Sequence, residues 1–371
     1  MTPYLDLKLA TADVRPQLDA AIARVLDSGC YIQGDEVRAF EQEFAQHCGA
    51  RFCVGVGNGL DALTLMLRGL DIGEGDEVIV PSNTYIATWL AVSAVGARVV
   101  PVEPDPRTYN LDPERVAGAV SGRTRAILAV HLYGREAPME ALGEIAARHG
   151  VPLLADAAQA HGLHPRRVAG GDAFAAAFSF YPTKNLGALG DGGAVVTDDA
   201  DLAARVRLLG NYGSRQKYRN EVRGVNSRLD PVQAAILRVK LPLLDAHNRR
   251  RRDMAARYYA GLDGIPDVTL PVAEGAGNSV WHIFAIRHPE RDWLARQLAQ
   301  QGIGTLVHYP VPPHLSEAYR ADFERGAFPL AEEIAATELS LPLHPHLTDE
   351  QVDEVIGSVC LAACLPAGVL T

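Results

Sequence analysis

The 371-residue chain has few cysteines, no long apolar run and no excess of positive charge. Its five cysteines, Cys30, Cys48, Cys53, Cys360 and Cys364, lack a paired metal-ligand spacing. Cys360 and Cys364 stand one helical turn apart, and buried apolar thiols are expected there rather than half of a metal site. The longest mostly apolar stretch, Trp89 to Val102, is interrupted by Arg98 and falls short of the ~20 residues that span a bilayer. Met1 to Arg15 mixes Asp6, Lys8, Asp13 and Arg15 with its apolar positions, so no signal-peptide core is expected. A formal net charge of -10 argues against nucleic acid or an anionic membrane as partner. The twelve histidines show no helical pairing with an acid, so no metal hydrolase and no metal are expected. Internal repeats and low-complexity tracts are absent too. The expectation is a reduced, cytoplasmic, soluble protein.

Short apolar runs recur: Phe52 to Val56, Glu77 to Val80, Arg98 to Val102, Ala126 to Val130, Val151 to Ala155, Ala175 to Phe180 and Ala194 to Thr197. Segments between them, such as Leu60 to Leu70 and Met139 to His149, place apolar residues at i, i+3 and i+4. Strands alternating with helices imply an α/β fold whose mostly parallel sheet is covered on both faces, with ligands at the strand carboxyl ends. The last two runs are joined by a glycine-rich loop instead of a helix, which predicts an antiparallel pair in a mixed sheet. Helices are predicted over Ala200 to Leu209 and over Asp230 to Asn248, the second with Pro231 at its first position. The basic run Arg249 to Arg252 reads as a solvated helix face, with an anion site as the alternative. A smaller α/β unit follows, with a strand near Val280 to Ile286, a helix near Trp293 to Gln301 and a closing helix over Asp349 to Leu361. Single cores stop growing near ~250–300 residues, so two domains are expected, 1–248 and 249–371.

Two residues at strand ends carry the chemistry. Asp156 closes one apolar run, and Lys184 follows another within Ser179-Phe180-Tyr181-Pro182-Thr183-Lys184-Asn185-Leu186-Gly187. Alone, each has a plain reading, a helix N-cap for the aspartate and a solvated loop residue for the lysine. Together they match a pyridoxal phosphate site, with the lysine forming a Schiff base and the carboxylate keeping the ring nitrogen protonated. The turn Gly55-Val56-Gly57-Asn58-Gly59-Leu60 adds a helix N-terminus able to hold a phosphate, although its spacing is neither a P-loop nor a dinucleotide fingerprint.

Five segments resemble the DegT/DnrJ/EryC1/StrS family of sugar aminotransferases: Val56 to Leu63, Pro81 to Thr88, Ala155 to Gln159, Ser179 to Gly193 and Asn226 to Asp230. They occur in the family's order along nearly the whole chain. The variants Ser82-Asn83-Thr84-Tyr85-Ile86-Ala87-Thr88, Tyr181 to Gly190 and His308-Tyr309-Pro310 look most like the branch that aminates a dTDP-3-keto-6-deoxyhexose at C-3. The resemblance implies a fold-type I aminotransferase, with a seven-stranded, mostly parallel sheet in the large domain and a smaller C-terminal α/β domain. It implies that Lys184 binds pyridoxal 5'-phosphate, which passes through its pyridoxamine 5'-phosphate form, and that Asp156 pairs with the ring nitrogen. Gln159 would contact the ring hydroxyl and Tyr85 would stack on the ring. Ser179 would bind the phosphate beside the N–H groups of Gly59 and Leu60. Asn226 would reach that phosphate from the partner subunit of a homodimer; on the residues alone it is equally a turn residue. Tyr181, Lys217, His308 and Tyr309 would surround the nucleotide-linked ketosugar, and L-glutamate would donate the amine. Lys217 and His308 also admit plain readings, a solvated loop and a hydrogen-bonded core histidine. His161 is expected to support Asp156.

The family commonly has Ser-Gly-Thr where this chain has Asn58-Gly59-Leu60, so a hydroxyl contact from that loop is not expected. Related sugar 3-dehydratases carry a histidine at the position of Lys184, which counts against that activity. A 4-ketosugar or scyllo-inosose aminotransferase is the same-class alternative. A non-catalytic regulator binding nucleotide sugar or cofactor is the alternative of another class, and the set Asp156, Gln159, Ser179 and Lys184 argues against it.

Overall fold

The computed structural model describes residues 1–163, 173–273 and 278–363. Helices α1 (Leu7–Ala12), α2 (Arg15–Ser28) and α3 (Asp35–His47) lead into strand β1 (Phe52–Val56). Then follow α4 (Gly59–Gly69), β2 (Glu77–Pro81), α5 (Ala87–Ala94), β3 (Arg98–Val102), α6 (Pro113–Ala119), β4 (Thr124–Val130), α7 (Met139–His149) and β5 (Leu153–Asp156). Strands β6 (Ala175–Ser179) and β7 (Gly193–Thr197) complete a seven-stranded sheet of order β1-β7-β6-β5-β4-β2-β3. Strands β2 to β6 pair in parallel, whereas β7 pairs antiparallel with both β6 and β1. The mixed sheet expected from the missing helix between the last two runs is present.

Alternate residues of each strand supply two cores, because successive side chains point to opposite faces. Ile127, Leu153, Ala155, Ala176 and Phe178 join Phe40 and Phe44 of α3 and Leu142 of α7. On the other face, Leu128, Leu154, Ala175 and Ala177 meet Leu63 and Met66 of α4 and Trp89 of α5. Burial on both faces explains why these strands read as unbroken apolar runs.

Beyond the sheet come α8 (Ala200–Gly210), the short strands β8 (Ser214–Gln216) and β9 (Arg219–Asn220), α9 (Pro231–Lys240) and α10 (Leu244–Leu262). The single helix predicted over Asp230 to Asn248 is instead two, separated by the 3₁₀ turn Leu241–Leu243. Pro242 sits in that turn, where a ring without an N–H cannot continue an α-helical ladder. Helix α10 runs without interruption past residue 248 into a smaller unit of β10 (Phe284–Arg287), α11 (Arg291–Gln300), α12 (Pro329–Thr337), β11 (Glu338–Leu341) and α13 (Asp349–Ala363). The first residues also belong to it: Thr2 bridges Ile303, and its hydroxyl donates to Glu354.

Arg251 corrects the reading of the basic run. It is buried and donates to the main-chain carbonyls of Trp281 and Leu343, tying α10 to the loops around β10 and β11. Cys30, Cys48, Cys53 and Cys360 are free thiols, and Cys364 lies outside the described residues. No helix of the described residues is long and apolar enough to cross a membrane.

Candidate active site

Three element ends converge at the carboxyl edge of the sheet. Asp156 is the last residue of β5 and Ser179 the last of the adjacent β6, while α4 begins at Gly59. The Asn58 side chain caps α4 by accepting the Asp61 N–H at 2.8 Å, which leaves the N–H groups of Gly59 and Leu60 without an intrahelical acceptor. A Cβ on Gly59 would stand 2.6 Å from the Ser179 Cβ, so only glycine lets helix and strand end meet this closely.

Lys184 follows β6 in a tight turn, its N–H donating to the Tyr181 carbonyl at 2.9 Å. The neighbouring Asn185 anchors the turn by donating to Val280 O and Asn248 Oδ1, each at 2.9 Å. Burial brings the Lys184 amine down to about 8, and the negative charge of Asp156 opposes that shift. Asp156 is itself 6 % exposed, and burial raises its carboxyl. The Ala158 N–H at 3.1 Å, the Thr88 hydroxyl at 2.8 Å and the charge of Lys184 pull it back. A cationic ring nitrogen against Asp156 would supply more of the positive charge that its burial calls for.

A cavity of about 530 Å³ connects these groups. Gly59, Leu60, Tyr85, Asp156, Gln159, Ser179, Tyr181, Lys184, His308 and Tyr309 all line it, as the sequence reading expects of one site. Tyr85 is about half exposed and its ring lies 5.1 Å from that of Tyr309. Gln159 donates to the Tyr309 hydroxyl at 2.9 Å and accepts the Tyr133 N–H, so its amide is held at both ends. A reactive amine, a buried carboxylate, a serine and a free helix N-terminus around one cavity fit pyridoxal phosphate. No group of three or more possible metal ligands occurs among the described residues.

Two expected site residues stand elsewhere in this chain. Lys217 lies on the exposed turn between β8 and β9 with its amine 5.1 Å above the Tyr218 ring. Asn226 is exposed and bridges Asn211; neither residue lines this cavity. His161 does not support Asp156. The Asp156 side chain faces α5, whereas the chain then turns and carries His161 to the opposite sheet face, 5.4 Å from Phe178 and 5.7 Å from Phe180.

Thr88 does that supporting work, backed by Thr84 at 3.0 Å. Both threonines stand in the segment Pro81 to Thr88 that carries part of the family resemblance, but no local pattern there points to Asp156 as their partner. His282 also lines the cavity, with its Nδ1 3.0 Å from Asn185 Oδ1. Nothing in the sequence near His282 signals a site.

Three comparisons place this geometry among known proteins. The model of the DegT/DnrJ/EryC1/StrS aminotransferase family matches residues 13–360. A dTDP-3-amino-3,4,6-trideoxy-alpha-D-glucose transaminase of Streptomyces venezuelae is 56% identical over 359 residues, covering 96% of this chain and 95% of that one. The crystal structure of S. venezuelae DesV in complex with a ketimine intermediate superposes with a TM-score of 0.95 at 55% identity, covering 98% of this chain and 99% of that one. The structure of ntda from Bacillus subtilis with bound cofactor pmp has a TM-score of 0.92 at 29% identity, covering 98% and 85%.

Proposed function

The chain belongs to the DegT/DnrJ/EryC1/StrS aminotransferase family, and on that basis we propose that it moves an amino group from L-glutamate to C-3 of a dTDP-3-keto-6-deoxyhexose, in deoxyamino-sugar biosynthesis. It is a pyridoxal-phosphate-dependent sugar aminotransferase. The observation that carries the reading is the placement of Lys184 and Asp156 on one cavity beside the start of α4.

When bound, the cofactor supplies an electron-poor ring that stabilises negative charge on the carbon losing its proton. Lys184 Nζ is the group that would hold the cofactor covalently in the resting enzyme. The freed Nζ then takes the proton from the α-carbon of glutamate and, in the second half-reaction, delivers one to C-3 of the sugar. An amine brought down to about 8 by burial is neutral in a useful fraction near working pH, so it can accept that proton. The Asp156 carboxylate holds the ring nitrogen in its protonated form. The N–H groups of Gly59 and Leu60, with Ser179, fix the phosphate and so the orientation of the reacting carbon. Tyr85 covers one ring face and Gln159 meets the ring hydroxyl. Tyr181, His308 and Tyr309 bind the sugar.

In this reading the working unit is a cytoplasmic homodimer. Asn226 completes the phosphate site of the partner subunit, and Lys217 reaches the partner's nucleotide diphosphate. Support comes from the exposed apolar residues Tyr212, Tyr218, Val222 and Val225, which surround Lys217 and Asn226 on one segment. Incubation with L-glutamate and a dTDP-3-keto-6-deoxyhexose, followed by NMR of the product, tests the regiochemistry. An amine at C-3 is expected; an amine found at C-4 would contradict the reading.

A further inference from the structure

A chain of hydrogen bonds runs from the interior of the smaller unit to the cavity. Glu338, the first residue of β11, is fully buried. Its Oε2 accepts the main-chain N–H of His308 at 2.6 Å, and its Oε1 is bonded to the Ser340 hydroxyl. The same Ser340 oxygen lies 2.8 Å from His308 Nδ1. The His308 carbonyl accepts from the Tyr133 hydroxyl. His308 is thus held at its N–H, its carbonyl and its Nδ1. Nε2 is the ring nitrogen left for the cavity that His308 lines.

A serine hydroxyl has one proton to give and two lone pairs to receive with. With one proton and two partners, Ser340 donates to one of Glu338 and His308 and accepts from the other. An ionised Glu338 can only accept. Ser340 then donates to it, His308 Nδ1 carries the proton toward Ser340, and Nε2 shows the cavity a lone pair. A protonated Glu338 donates to Ser340, Ser340 donates to Nδ1, and Nε2–H becomes a donor toward the cavity.

We propose that Glu338, acting through Ser340, sets which ring nitrogen of His308 carries the proton, and so whether the histidine offers the ketosugar a donor or an acceptor. Glu338 is a positioning residue, since it does not line the cavity. The sugar as the group facing His308 rests on the proposed function; the coupling of Glu338 to the imidazole does not.

The surroundings favour the donor arrangement near neutral pH. Burial raises the Glu338 carboxyl to about 8, against the pull of Ser340, the His308 N–H and Arg291. Arg291 spends its Nη1 on the main-chain carbonyls of Ala335 and Glu338. Arg287, opposite Glu338 in the β10–β11 register, turns to Thr337 and Glu333. Tyr4, Tyr109 and Tyr133 are also titratable groups near Glu338, and Lys184 and His282 face His308 across the cavity. Burial also lowers the His308 imidazole to about 4, so at working pH it is neutral and only its tautomer can change.

Nitrogen NMR of full-length protein labelled at histidine, with the His308 signals assigned by a His308→Gln variant, reads the tautomer directly. In the native protein the proton is expected on Nε2 at about pH 6.5 and on Nδ1 at about pH 9.5, either side of the carboxyl's transition. Glu338→Gln fixes the first arrangement: its amide oxygen must take the His308 N–H, which turns its NH₂ toward Ser340. That variant is expected to keep Nε2–H at both pH values. Ser340→Ala is expected to lose the switch. One tautomer at both pH values in the native protein, or a switch that survives in either variant, overturns the proposal. If the variants fail to fold, the native titration decides alone. Failure of L-glutamate to convert the bound cofactor would sink the aminotransferase reading while leaving the tautomer result standing.

Discussion

Lys184 and Asp156 are two ionisable groups whose shared burial acts on them in opposite senses. Desolvation lowers the amine and raises the acid, while each opposes the other's shift by its charge. The lysine attacks an aldehyde only when neutral. Covalent capture of added pyridoxal phosphate by the apoprotein should therefore accelerate as pH rises through about 8 and level off above it. Stopped-flow absorbance measures this; a rate that keeps climbing toward pH 10.5, the ordinary lysine value, would show that burial does not tune the amine. Asp156→Asn retains an acceptor for Thr88 but offers the ring nitrogen no negative charge. Truncating a buried charge pair costs ~2–5 kcal/mol, so kcat should fall by roughly 10²–10³ in a steady-state assay. A kcat within tenfold of the native value would mean that the ring nitrogen is held some other way.

At the scale of elements, the site depends on how closely α4 approaches the end of β6. Gly59→Ala puts a methyl group 2.6 Å from the Ser179 Cβ, and overpacking of this kind costs ~1–3 kcal/mol. The helix must back away, so the dissociation constant for pyridoxal phosphate should rise about tenfold to a hundredfold in an equilibrium titration. Unchanged affinity would remove this N-terminus from the phosphate site. The strands that build the site were legible in the sequence because burial on both faces leaves an unbroken apolar run. Asp156 and Lys184 were legible because each is a charged residue placed where such a run ends. Other features rest on partners far along the chain. Thr88 meets Asp156 across 68 positions, and Arg251 turns inward for carbonyls 30 and 92 positions away. The break at Pro242 was hidden because the apolar spacing continues on both sides of it. The Glu338–Ser340–His308 chain forms only when β11 pairs with its neighbours, so no local pattern announces it.

For the whole molecule, the claim to test is that each active site draws on both subunits. Lys184→Ala subunits keep Asn226 but lack the anchoring amine; Asn226→Ala subunits keep Lys184 but offer a weakened phosphate site to their partner. In a mixed dimer, one site would combine a native Lys184 with a native Asn226. Activity at cofactor concentrations that do not saturate the Asn226→Ala homodimer should reappear on mixing and re-forming dimers. No recovery, in mixtures shown by native mass spectrometry to contain mixed dimers, would place Asn226 outside the partner's site. The most direct measurement of the chemistry itself is the visible spectrum of the purified protein with bound pyridoxal phosphate, before and after L-glutamate. The band of the lysine-bound cofactor is expected to vanish as the pyridoxamine form appears, and to return when the dTDP-linked 3-ketosugar is added. A protein that binds the cofactor yet shows no change with L-glutamate, under conditions where its Lys184→Ala variant forms no such band, would contradict transamination from this donor.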